Sequence, residues 1–139
     1  MAADVAFTTI NTNNQERFQS LRRELEVSSF GANAITLTPR QRGRIHTHTG
    51  QEEVFLVLEG ELTIGIEGEE QVVPKHGLVR VAPGVRRQLL NRGSTNLLLL
   101  ALGGEGEHVG RDGLAWESWE EDGEGRAPQE VPLPADLPV

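Results

Sequence analysis

GRIHTHTGQEEVFLVLEG, residues 43–60, decides how the rest of this chain is read. Taken as a strand, Arg44 to His48 turns both histidines to one face, because side-chain direction alternates and residues two apart are separated by about 6.7 Å. Two imidazoles at that separation reach one ion. Thr49, Gly50 and Gln51 make a polar turn, and Glu53 opens a second strand on which Glu53, Phe55 and Val57 share a face. The turn therefore returns a carboxylate towards the imidazoles. Two neutral imidazoles and one carboxylate on one side of an ion form an open, catalytic-type donor set, suited to a divalent ion such as Fe, Mn, Ni or Zn. A His-x-His tripeptide alone falls on strands by chance, so its weight comes from its surroundings.

The stretch resembles the first motif of the cupin family: a glycine, His-x-His, a glutamate, then a glycine, here Gly43, His46, His48, Glu53 and Gly60. Gly43 stands closer to His46 than the family pattern has it. The second cupin motif is similar to GLVRVAPGVRRQLLN, residues 77–91, with Gly77, Pro83, Gly84 and Asn91 in place and Arg87 where the family has a histidine. The resemblance covers about residues 33–103. It implies an all-β fold, a double-stranded antiparallel β-helix or jelly-roll barrel of the small, single-domain, conserved-barrel type. It also implies a metal on His46, His48 and Glu53. Cupins include metal-dependent dioxygenases, isomerases and decarboxylases as well as sugar-binding regulators and storage proteins, so the fold alone does not choose an activity.

A strand through Val85–Asn91 puts Arg87, Leu89 and Asn91 on one face and Arg86, Gln88 and Leu90 on the other, with Gln88 pointing outward. An inward Arg87 meets the metal directly: a unit charge about 5 Å from a dication costs roughly 7 kcal/mol at an effective dielectric of about 20. Two arrangements compete. Either Arg87 pairs with Glu53 in place of a metal, or the ion sits on the three ligands and Arg87 anchors an anionic substrate beside it. The second has the advantage that three protein ligands already complete an open site. On that reading the substrate contacts are Arg87, Phe55 and Asn91.

The chain has 139 residues, enough for one domain, with a barrel at 33–103, an N-terminal flank at 1–32 and a tail at 104–139. Thirteen Lys and Arg against 21 Asp and Glu give a net charge of -8, which disfavours a broad electrostatic grip on nucleic acid or an anionic membrane. There is no cysteine, hence neither a disulfide framework nor a thiolate nucleophile. The N-terminus lacks the basic start and apolar core of a signal peptide, and no apolar run approaches the ~20 residues of a membrane span. A cytoplasmic location is the expectation.

Along the chain, Phe18, Leu21 and Leu25 share a helical face, predicting a short amphipathic helix within Asn14 to Leu25, capped by Asn13 or Asn14. Arg40, Arg42 and Arg44 read as a solvated strand face. Strands follow at Ala32–Thr38, on both sides of a hairpin at Gly68, at LVRV and VRRQLLN, and at Asn96–Leu102, an apolar run fit for burial on both faces. Trp116 and Trp119, three apart, predict a helical turn docked on the barrel. The proline-rich end is expected to be an extended tail, disordered or lying along a second subunit. His76 and His108 read as exposed. Sheet edges and apolar outer positions point to a homodimer. The functional expectation is a cupin that binds or transforms a small anionic or polyoxygenated molecule at a divalent metal. The alternatives are a metal-free ligand-binding or sensing module with Arg87 as anion anchor, and a structural dimer without catalysis.

Overall fold

The computed structural model describes residues 4–13, 16–104 and 112–138. One antiparallel sheet runs in the order β1 (Phe18–Ser20), β2 (Gly31–Leu37), β9 (Leu97–Gly104), β4 (Glu52–Glu59), β7 (Leu78–Val81). The facing sheet runs β10 (Gly113–Trp116), β3 (Ile45–His48), β8 (Arg87–Leu90), β5 (Leu62–Ile66), β6 (Glu69–Val73). Apart from the β5–β6 hairpin, successive strands from β2 onward change sheet, which is the jelly-roll form of the double-stranded β-helix. The interior is packed by the inward set of each strand, with Leu37, Phe55, Val57, Leu62, Ile64, Leu97 and Leu99 almost entirely buried. Burying each such side chain is worth about 1.5–3 kcal/mol.

The apolar run of β9 is used on both faces. Leu97, Leu99 and Ala101 enter the barrel, while Leu98 and Leu100 meet Leu21, Ala32 and Ala34 beneath helix α1 (Leu21–Leu25). The β5–β6 turn has positive φ at both Glu67 and Gly68, the backbone that a two-residue hairpin needs to match strand twist. Gly60 is held at φ +75°, where a Cβ would lie 2.5 Å from the Asn96 carbonyl oxygen. Only glycine closes that turn without strain.

Four expectations are corrected. The helix is confined to Leu21–Leu25 and capped by Ser20, whose side chain accepts the Arg23 N–H at 3.2 Å. Residues 18–20 instead pair with β2, because extending the sheet satisfies their backbone, and Phe18 stays 53% exposed. Asn14, one proposed cap, and His108 lie outside the described residues.

Trp116 ends β10, and Trp119 follows in a turn. Both rings lie against the Arg86 guanidinium, at 5.3 and 5.8 Å, so a cation–π contact rather than a helical turn docks them. This segment covers the outer sheet face, and Gln88 is buried there with its Nε2 donating to the Gly43 carbonyl at 3.0 Å.

The tail is laid on its own barrel. Arg42 Nε donates to the Ala135 carbonyl at 2.8 Å and Arg44 Nε to that of Val131 at 2.6 Å, while the Leu137 N–H reaches the Arg40 carbonyl at 2.7 Å. Val131 and Leu137 are buried. Arg42 and Arg44 are thus a clamp for the tail instead of a solvated face, while the Arg40 side chain is exposed as expected. Among the described residues no helix is long and apolar enough to cross a membrane.

Candidate metal centre

His46 and His48 come from β3 and Glu53 from β4 of the facing sheet, so the three converge across the barrel interior. One ligand atom from each lies within 4.8 Å of the others. His46 Nε2 is 3.9 Å from Glu53 Oε1, and His48 Nε2 is 3.6 Å from Glu53 Oε2. The rings meet edge to face, 5.5 Å between centroids.

The tautomers follow from the second nitrogen of each ring. His46 Nδ1 faces the Arg44 carbonyl at 3.2 Å and His48 Nδ1 faces Asp112 Oδ1 at 2.8 Å. Both partners accept only, so each Nδ1 carries the proton and, in the neutral ring, each Nε2 directs a lone pair to Glu53. Burial pushes the His46 pKa down to about 4, with Arg87 adding to that, against the pull of Glu53. Burial would lower His48 as well, but hydrogen bonding and charge from Glu53, together with Asp112, outweigh it and hold His48 above its ordinary value. Burial would raise Glu53. The two histidines and Arg87 overcome this and depress it, so it is an anion.

Arg87 is fully buried. Its Nη1 donates to the Val85 carbonyl at 2.7 Å and Thr47 Oγ1 at 3.1 Å, and Nη2 lies 3.3 Å from Glu53 Oε1. That last approach is an ion pair without hydrogen-bond alignment: among the described residues Glu53 Oε1, Arg87 Nε and Arg87 Nη2 are buried without hydrogen-bond partners. An ionised carboxylate facing two Nε2 lone pairs fits a divalent cation, with Arg87 beside the same carboxylate: Oε1 lies 3.9 Å from His46 Nε2 and 3.3 Å from Arg87 Nη2, and Oε2 lies 3.6 Å from His48 Nε2.

Two cavities meet at His48 and Glu53. One, about 240 Å³, is walled mainly by apolar groups including Leu37, Phe55 and Leu89, with Arg17 and Arg44 also present. The other, about 250 Å³, is polar and lined by Ser20, Arg22, Asn33, Gln51 and Glu52 among others. Of the expected substrate contacts, Phe55 lines the apolar cavity. Asn91 does not line either: it is fully buried, with Nδ2 donating to the Leu37 and Thr95 carbonyls and Oδ1 accepting the Gly93 N–H, so its work is to hold a turn. Arg87 lines neither cavity and reaches Glu53 from within the protein.

Asp112 was not indicated by the sequence. It accepts from the backbone N–H groups of Gly50 and Gln51, from Gln51 Nε2 at 2.6 Å and from His48. Burial would raise its pKa, but the Gly50 N–H and His48 more than offset this and lower it. It stands 64 positions from His48, brought there by the pairing of Gly113 with His48, and an aspartate before a glycine is its only local signal.

The cupin domain family model matches residues 33–103, just over half of the chain. The chain belongs to the cupin family. No curated protein matches it. Among solved structures it is similar to a sugar phosphate isomerase of the cupin superfamily from Silicibacter pomeroyi DSS-3, with 24% identity, a TM-score of 0.59 and coverage of 63% of this chain and 58% of that one. It is also similar to a cupin protein from Bacteroides fragilis (18% identity, TM-score 0.65, 74% and 86% covered) and to a Cupin 2 conserved barrel domain protein from Salinispora arenicola CNS-205 (16%, 0.64, 74% and 91%). The chain spans less than two thirds of the Silicibacter protein's length. At these identities the likeness shows the fold alone.

Proposed function

We propose that this cupin holds one divalent ion, Fe, Mn, Ni or Zn, on His46, His48 and Glu53 and there binds a small anionic or polyoxygenated molecule. The observation that carries the reading is the pair of Nε2 atoms, each set by a partner on Nδ1, facing the two oxygens of the Glu53 carboxylate, whose buried Oε1 makes no hydrogen bond among the described residues. Three protein ligands leave positions open for a chelating molecule, and the bound ion would polarise a chelated oxygen as a Lewis acid. The residues supply the rest. Asp112 fixes the His48 ring, Arg87 balances the Glu53 charge, and Leu37, Phe55 and Leu89 keep one side of the site apolar. Each cavity is somewhat below the ~300–1,000 Å³ typical for drug-sized ligands, which supports a small occupant.

A metal-free binding or sensing module is the second reading, favoured by the 3.3 Å approach of Arg87 to Glu53. Calorimetric titration of hydroxy acids and sugar phosphates into metal-loaded and chelator-treated protein separates the two. Binding only by the loaded form is expected; binding indifferent to the chelator would select the metal-free module.

For assembly we propose a homodimer in which a second copy covers apolar side chains such as Leu78 and Leu102, 65% and 37% exposed on the same sheet. Sedimentation equilibrium is expected to give twice the chain mass, and a monomer mass at all concentrations would refute the dimer.

A further inference from the structure

The polar cavity carries a charge that the metal centre does not use. Arg22 of α1 lines it together with Ser20, Asn33 and Gln51, and His48 and Glu53 belong to the same wall. The Arg22 Nε is buried and has no hydrogen-bond partner among the described residues. Leaving a charged donor desolvated and unbonded is costly, and an arginine fork offers a carboxylate or phosphate paired, charge-assisted bonds. The two carboxylates of the cavity are engaged elsewhere: Glu52 pairs with Arg80 at 3.1 Å, and Glu53 with Arg87. Arg17 and Arg44, in the apolar cavity, already donate to the Arg42 and Val131 carbonyls. Arg87 lies outside both cavities, so among the described residues Arg22 is the cation placed to meet a ligand.

Resting on the metal reading above, we infer that the ligand is a small chelating acid with a second anionic group, and that this distal carboxylate or phosphate is bound by Arg22 in the polar cavity. The chelating end occupies the metal, and the distal charge supplies selectivity for a diacid over the corresponding monoacid. Arg22 is then a specificity residue, remote from the chelated atoms.

Malate and lactate test this directly, since both present an α-hydroxycarboxylate to a metal and only malate carries a distal carboxylate. Calorimetry on the metal-loaded protein is expected to show malate binding about tenfold or more tighter than lactate. Arg22→Gln should bring malate down to the lactate level, leaving lactate and metal affinity unchanged, and Arg22→Lys should restore part of the preference. Equal affinities in the wild type, binding of neither acid by loaded protein, or a malate preference that persists in Arg22→Gln would overturn the inference and leave the metal centre standing. Failure of the wild type to bind metal at all would remove both.

Discussion

Metal affinity is expected to fall in steps across four variants: abolished in His46→Ala and His48→Ala, reduced about 10–100-fold in Asp112→Asn, and unchanged in His76→Ala. The first two each remove one of three protein ligands from an ion that has no other protein donor within reach among the described residues. Asp112→Asn keeps an acceptor but loses the negative charge that strengthens His48 as a donor to the ion. It also sets an amide nitrogen against the Gly50 and Gln51 N–H groups or against His48 Nδ1, since Asp112 accepts on both oxygens. His76 sits in the exposed turn between β6 and β7 at positive φ, away from the barrel interior. Competition titration against a chromogenic chelator reads all four. Equal losses in the four variants would mean the ion is bound elsewhere.

Arg87→Ala is expected to cost about 3–5 kcal/mol of folding stability when the protein is stripped with chelator, the usual penalty for removing one partner of a buried ion pair. The penalty falls on Glu53, which is left as a buried anion with no arginine beside it. With metal present the loss is expected to shrink, because the ion supplies the missing positive charge and binds only the folded state. Arg87→His should instead tighten metal binding by offering a fourth ligand. Thermal melting with and without metal checks both. A stripped Arg87→Ala as stable as the wild type would show that the Arg87–Glu53 approach contributes nothing.

The parts of the site that rest on period-two alternation were legible in the sequence. His46, His48 and Glu53 lie in one short stretch in which strand geometry and one turn suffice to bring them together. The barrel strands were legible for the same reason, and the two-sided burial of Leu97–Ala101 showed as an unbroken apolar run. What was not legible depends on long-range pairing. Asp112 reaches His48 only because β10 adds to the sheet edge beside β3. The Arg40, Arg42 and Arg44 row has the pattern of a solvated face, and nothing local tells that the carbonyls of a tail about 90 residues later will bind Arg42 and Arg44. Phe18 has helical spacing to Leu21, yet backbone pairing with β2 overrides that preference. Alternation turns Gln88 outward, and outward there means beneath the tryptophan segment. The same alternation turns Arg87 inward, where it stands opposite His46 on the neighbouring strand and reaches Glu53, yet it lines neither cavity.

His46 Nε2, His48 Nε2 and a Glu53 oxygen are expected to hold a metal with Arg87 beside them. The most direct measurement is an anomalous difference map from crystals of protein purified without added metal or chelator, collected across the absorption edges of Fe, Mn, Ni and Zn. One peak per chain is expected about 2.0–2.2 Å from the two Nε2 atoms and a Glu53 oxygen. A featureless map, with the Arg87 guanidinium turned into full hydrogen bonds with Glu53, would contradict it.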